Sequence, residues 1–140
     1  MKRLFQRLAL VLTVSLFSLA SSCSEEAPTV PTLSAEVEID GTADGQQITI
    51  IDGQILIVSL GSNPSAGFTW EVSEVDGAVL QQIGIPRFQA GTDNVGAEGV
   101  QIFEFRTINP GQTELKMVYV LAFEEDAEPT NTFSVNVNVL

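Results

Sequence analysis

Phe133-Ser134-Val135-Asn136-Val137-Asn138-Val139 is the stretch that decides the fold. Apolar and polar side chains alternate in it with a period of two, which places them on opposite faces of an extended chain. One face is therefore buried and the other is wet, as in an antiparallel sheet that has one solvated side. The same alternation recurs upstream at residues 115–121, and Phe103 and Phe105 share a face in the same way.

Four further segments complete the predicted set of strands, at residues 47–51, 54–60, 68–72 and 80–88. Asp52-Gly53 separates the first two and predicts a two-residue hairpin, while Asn109-Pro110-Gly111 predicts another turn. Apart from the N-terminal segment, no stretch has the 3.6-residue period of a helix. About seven to eight short strands predict an all-β domain over residues 35–140, an immunoglobulin-like antiparallel β-sandwich. We expect the single Trp, Trp70, to fill the core between its sheets.

The N-terminus has the layout of an export signal. Three basic residues precede an apolar run at 8–19, and small residues at 20–22 lead to the only cysteine, Cys23. The apolar run is shorter than the roughly 20 residues that span a bilayer, and its end resembles a bacterial lipobox. We therefore expect a signal peptide at residues 1–22, a lipid anchor at Cys23 and a flexible tether at 23–34 rich in Pro, Ser and Thr. The protein would then be exported and anchored in the cell envelope; an ordinary cleaved signal that leaves a free thiol is the alternative.

The charge and the missing residue types exclude several functions. After residue 22 the chain has three basic residues against 18 acidic ones, a net charge of −15. Such an excess argues against nucleic acid and anionic lipid as partners, and it suits a soluble domain at a surface or a partner with a basic face. The chain has no His, so no Ser–His or Cys–His pair is available. We expect no enzyme activity and no cofactor.

Two acidic clusters are the remaining candidates for chemistry: Asp93, Asn94 and Glu98 in one, and Glu124, Glu125, Asp126 and Glu128 in the other. Oxygen ligands of this kind suit calcium, but the spacing lacks the Asp-x-Asp-x-Asp-Gly pattern. We predict no metal site and interpret the second cluster as a solvated loop, with calcium binding as the open alternative.

Between the strands predicted at 54–60 and 68–72 the chain reads Asn63-Pro64-Ser65-Ala66-Gly67-Phe68, with Trp70 close behind. Asn-Pro is a strong turn signal, Gly67 allows a positive φ, and the small side chains at 65 and 66 make a narrow tip. On these grounds alone the segment is a turn that is either structural or functional. It resembles the first loop of chagasin-like inhibitors of papain-type cysteine proteases, which reads Asn-Pro-Thr-Thr-Gly-Phe and is followed closely by Trp.

The resemblance continues downstream and covers about residues 47–140. The family has a Gly-rich second loop before a strand with Phe, and residues 95–99 followed by Phe103 match it. Its third loop follows a Tyr and reads Arg-Pro-Trp-Glu, where this chain has Tyr119 and then Leu121-Ala122-Phe123-Glu124. Ala in place of Pro is expected to loosen this loop, and Phe in place of Trp keeps an aromatic group.

The resemblance implies a monomeric inhibitor domain whose three loops gather at one end of the sandwich and fill the active-site cleft of a papain-like cysteine protease. The protease-binding residues that it implies are Asn63, Pro64, Ser65, Ala66, Gly67 and Phe68 in the first loop, Gly96, Ala97, Glu98 and Gly99 in the second, and Leu121, Ala122 and Phe123 in the third. A non-inhibitory protein-binding module of the envelope and a structural envelope lipoprotein are the alternatives.

Overall fold

Eight strands and two single 3₁₀ turns make up the domain in the computed structural model, which describes residues 34–124 and 128–140. The 3₁₀ turns lie at Gly41–Ala43 and Pro64–Ala66. In chain order the strands are β1 (Glu36–Asp40), β2 (Gln47–Ile50), β3 (Ile55–Ser62), β4 (Phe68–Glu74), β5 (Leu80–Ala90), β6 (Gly99–Thr107), β7 (Gly111–Leu121) and β8 (Asn131–Val139).

The strands form two four-stranded sheets, in the order β1-β3-β6-β5 and β2-β8-β7-β4. The predicted β-sandwich is confirmed, and four of its six strand pairings are antiparallel. The edge strands β1 and β2 pair in parallel with β3 and β8. Strand β1 was not predicted, although Val37 and Ile39 alternate with acidic residues in it.

The hairpin predicted at Asp52-Gly53 is wrong. The chain does reverse there, because Gln54 N donates to Ile51 O at 3.0 Å and Gly53 has a φ of 93°. The two flanking strands, however, belong to opposite sheets. A turn signal fixes only the local reversal, and here each strand buries its apolar face by joining a different sheet.

The core lies between the inner faces of the two sheets. Alternate side chains of β8, from Phe133 to Val139, are at most 2% exposed. They pack with buried residues of the other strands, among them Leu56, Val58, Phe103, Phe105, Leu115 and Met117. Burial of each large apolar side chain contributes roughly 1.5–3 kcal/mol. Trp70 belongs to this core at 6% exposure, as predicted.

The edge strand β5 is irregular in its middle. Its pairing with β6 shifts register between Ile83 and Arg87, Gly84 has a φ of 61°, and Pro86 has no N–H to donate. Such interruptions prevent an exposed edge from pairing with another chain.

Three connections meet at one end of the sandwich, which we call the loop pole. The first loop (residues 63–67) joins β3 to β4, the second (91–98) joins β5 to β6, and the third (122–130) joins β7 to β8. The opposite end is the far pole, where β1 and β3 begin together, with Glu36 beside Ile55. The predicted signal peptide and Cys23 lie outside the described residues, within which no helix is long and apolar enough to cross a membrane.

Candidate functional site

The first loop is a single 3₁₀ turn closed by a left-handed glycine. Ala66 N donates to Asn63 O at 3.1 Å, and Gly67 N donates to Pro64 O at 2.9 Å. Gly67 has φ 85° and ψ 7°, a conformation that residues with a Cβ rarely adopt. Pro64 stands at the start of the turn, where its fixed φ fits the turn. Ser65 and Ala66 are left exposed at a narrow tip.

Aromatic side chains hold the base of this loop. The Tyr119 hydroxyl accepts a hydrogen bond from Asn63 N at 2.8 Å. The Tyr119 ring lies 5.4 Å from Phe68 and 5.1 Å from Trp70, centroid to centroid. Trp70 Nε1 donates to Gly61 O at 2.8 Å. Both stems of the loop are therefore fixed, and Trp70 combines core filling with a hydrogen bond that the sequence did not reveal.

Gln101 of β6 ties the two sheets together below the loop. Its Oε1 accepts from Trp70 N at 3.0 Å, and its Nε2 donates to Trp70 O at 3.3 Å. The side-chain amide thus takes the place of a neighbouring strand for edge strand β4. This role of Gln101 was not predicted, although its side chain lies on the same inward face of β6 as Phe103 and Phe105. A polar residue at an inward position was the available signal.

The structure brings the three loops together. Ala122 N of the third loop donates to Gly67 O of the first at 2.8 Å. The second loop approaches from the other side, since a Cβ added at Gly96 would lie 3.7 Å from Ser65 Oγ. A Pro at position 122 has no N–H, so Ala122 supplies a bond between loops that the family's Pro could not make. The expected loosening of the third loop is therefore opposed by a direct tie to the first.

The predicted site residues differ in their placement. Phe123 is 93% exposed beyond the end of β7, while Leu121 is partly buried within that strand. Gly99 lies in β6 and is a packing position, because a Cβ there would overlap the backbone oxygen of Gln89. Val95, a fully exposed apolar side chain in the second loop, was not among the predicted residues. A large apolar residue within a polar, Gly-rich loop was the signal for it.

Carboxylates surround the loop pole, with Asp93, Glu98, Glu124 and Glu128 all exposed. In the two described ranges no three metal-binding side chains come together, and Glu125 and Asp126 lie outside those ranges. Lys116 lies along β7, where its ammonium group donates hydrogen bonds to Glu74 and Glu114, and these two carboxylates raise its pKa. Arg87 pairs with Glu104. The loop pole thus has an acidic margin, which fits a partner with a basic surface.

Known structures share this fold. The cysteine protease inhibitor EhICP2 from Entamoeba histolytica is 18% identical over 75% of this chain and 96% of its own, with a TM-score of 0.66. Amebosin is 23% identical over 74% and 96%, with a TM-score of 0.57. PbICP-C, solved in complex with falcipain-2, is 13% identical over 75% and 98%, with a TM-score of 0.50. No curated protein sequence matches the chain.

Structures of low sequence identity show only a shared fold, whereas a match to a family model shows the family. The model described as chagasin family peptidase inhibitor I42 matches residues 49–137. This range is more than half of the chain, and it includes all three loops of the loop pole and the Gln101 bridge below them. The protein therefore belongs to the chagasin family of peptidase inhibitors.

Proposed function

We propose that this protein inhibits papain-like cysteine proteases by filling the active-site cleft with its loop pole. The observation that carries the proposal is the joined set of three loops around a narrow tip, with Ala122 bonded to Gly67 and Gly96 beside Ser65. Membership of a peptidase-inhibitor family supports it. The names of EhICP2, a cysteine protease inhibitor, and of the PbICP-C complex with falcipain-2 point to the same class of target.

Inhibition in this proposal is occupancy of the cleft and needs no reactive group. Ser65 and Ala66 at the tip are small enough to enter a cleft and approach the catalytic Cys–His region. The turn is already ordered by its own hydrogen bonds and by Tyr119, so little conformational entropy is lost on binding. Val95 and Phe123 project from the flanking loops, where they can pack against the two cleft walls. The protein itself acts as a non-enzymatic binder.

Export and anchoring are the second part of the proposal. A basic start, an apolar run and small residues before Cys23 support a lipoprotein signal at residues 1–22. The lone cysteine supports lipidation, because a free thiol in an exported protein otherwise lacks a role. Mass spectrometry of the mature N-terminus tests this part alone. An N-terminal diacylglyceryl cysteine is expected, and an unmodified Cys23 or a cut at another position contradicts it.

A matched pair of substitutions tests the inhibitory part. Residues 24–140, without lipid, are titrated against papain and a cathepsin-type protease, alongside Ala66→Trp and Ala78→Trp. Both alanines are exposed, one at the tip and the other in the turn before β5 at the far pole. We expect Ala66→Trp to weaken inhibition at least 100-fold and Ala78→Trp to leave it unchanged, with similar melting temperatures. No inhibition by the unsubstituted protein at micromolar concentration would reject the proposal and favour a non-inhibitory binding module.

A further inference from the structure

An apolar hollow lies beside the first and third loops, at the seam between the two sheets. Its apolar walls are Pro64, Phe68, Pro86, Phe88 and Phe123, and Gln101 also lines it. The hollow has a volume of about 300 Å³ and is open to solvent. We call it the apolar cup. Neither Pro86 nor Phe88 belongs to the three loops, so the cup adds strand β5 to the surface of the loop pole.

The cup exists because the two sheets end there without a cover. Strand β5 is one edge of the first sheet, opposite to β1, and β4 is one edge of the second, opposite to β2. Phe88 pairs in register with Gln101, so both side chains leave the same face of the first sheet. That face is the inner one, since the Gln101 amide reaches Trp70 across the sandwich. The Phe88 side chain therefore points toward the space between the two sheets, as core residues do, yet it remains 43% exposed.

We infer that the apolar cup is a fourth contact element, which receives an apolar side chain from the rim of the protease cleft. This inference rests on the proposed function. A protein that covers the first loop and Phe123 contacts two walls of the cup, because Pro64 and Phe123 belong to its lining. The cup is therefore continuous with the surface that the three loops present.

The chemistry of the cup selects an apolar occupant. The polar side chains that line the cup are already paired, since the Gln101 amide bonds to Trp70 and to Thr69 Oγ1. Arg87, the neighbour of Phe88 in β5, does not line the cup and pairs with Glu104. A polar or charged group placed in the cup would lose water without gaining a partner. A Leu, Met or Phe side chain would instead gain contact with three aromatic rings.

The N-terminal part of the same chain is not continuous with the cup where it joins the domain. Strand β1 starts at the far pole beside Ile55, and Ser34 lies just before it. The segment that precedes Ser34 joins the domain at the end away from the cup. A side chain of the bound protease is thus the occupant to which the inference commits.

The test uses Phe88 with a control on the same strand. Ile85 is 88% exposed on β5 but does not line the cup. Phe88→Ala, Phe88→Glu, Ile85→Ala and Ile85→Glu are compared, as residues 24–140, for inhibition of papain and a cathepsin-type protease. Truncation of an interfacial aromatic anchor weakens binding by about tenfold or more. We expect this for Phe88→Ala, a larger loss for Phe88→Glu, and changes within about twofold for both Ile85 variants. The losses should appear in the dissociation rate.

Each other outcome has a distinct meaning. If the unsubstituted protein inhibits and the Phe88 variants inhibit equally well, the cup is not a contact element. If all four variants weaken inhibition alike, the effect belongs to the edge strand as a whole and the inference is again overturned. Failure of the unsubstituted protein to inhibit rejects the proposed function itself. Melting curves followed by Trp70 fluorescence report folding, and Phe88→Ala decides the result if Phe88→Glu fails to fold.

Discussion

Replacing Gly67 by Ala isolates the contribution of one backbone conformation to the inhibitory loop. Gly67 has a φ of 85°, and a Cβ added there would have no atom within 4 Å. Steric overlap therefore contributes nothing to the cost, and only the left-handed conformation does. That conformation costs a residue with a Cβ roughly 1–2 kcal/mol. We expect Gly67→Ala to lower the free energy of unfolding by about this amount while the domain stays folded.

The same strain should also weaken binding to the protease, because Gly67 takes part in the hydrogen bonds of the loops. Its N–H closes the turn onto Pro64 O, and its carbonyl accepts the Ala122 N–H. If the turn relaxes to escape the strain, the first and third loops lose this connection. A strain of one or two kcal/mol limits the resulting loss of affinity to roughly 5–30-fold. The affinity loss should therefore be smaller than for Ala66→Trp, which places bulk at the tip.

Thermal unfolding and inhibition titrations of three variants check this reasoning. Gly67→Ala should lower the melting temperature by about 4–10 °C, given the usual shift per kcal/mol for a domain of this size. Gly67→Asn should lower the melting temperature by less than Gly67→Ala does, because Asn tolerates the left-handed region. Gly77→Ala is the control, since Gly77 lacks a positive φ and also has open space around it. It should be neutral or slightly stabilising.

Three results would refute the argument. A loss of more than about 4 kcal/mol for Gly67→Ala belongs to the range of core disruption and would show that the site is not open. Equal losses for Ala and Asn would show that backbone strain is not the cause. No loss at all would show that Gly67 does not hold a positive φ in solution.

Three further substitutions test other parts of the structure. Tyr119→Phe removes the acceptor of the Asn63 N–H, so we expect a loss of about 1–2 kcal/mol in a denaturant titration and weaker inhibition; unchanged values would show that the hydrogen bond does not hold the loop. Gly99→Ala would force a Cβ into the backbone of the adjoining strand and should cost more stability than Gly67→Ala, and an equal or smaller cost would contradict the close approach. The hydroxyl and then the amide of Thr42 lower the pKa of Asp40 below 3.8, so this interaction stabilises the fold above about pH 4 and is lost as the pH falls through the folded pKa. Thr42→Val should reduce that acid-dependent step in stability, and an unchanged pH profile would exclude the contribution.

Periodicity was sufficient to predict most of the fold. Residues such as Val135 and Val137 fall on one face by parity alone, and that face is the core. The prediction at Asp52-Gly53 was wrong. Alternation shows which side chains of a strand are buried, and turn residues show where the chain reverses. Neither shows which sheet the strand joins. Strand β1 was also missed, because three acidic residues hid the alternation of Val37 and Ile39.

The site was predictable where it depends on local sequence. The turn of the first loop follows from Asn-Pro and Gly67, and the resemblance to a family supplied the order of the loops. The contacts between loops, such as Ala122 N to Gly67 O, depend on the packing of strands distant in sequence. The role of Gln101 and the apolar cup depend in the same way on the crossing of two sheet edges, which no single segment encodes.

The parallel pairing of β1 with β3 determines the end of the sandwich at which the N-terminal segment joins the domain. Because β1 starts at the far pole, any restraint applied through the N-terminal segment pulls on the end of the sandwich opposite to Ser65 and Phe123. If Cys23 carries a lipid, the restraint is the membrane, and the inhibitory surface stands on the distal side of the domain. Such a protein would meet proteases that arrive from the surrounding medium with its binding surface unobstructed.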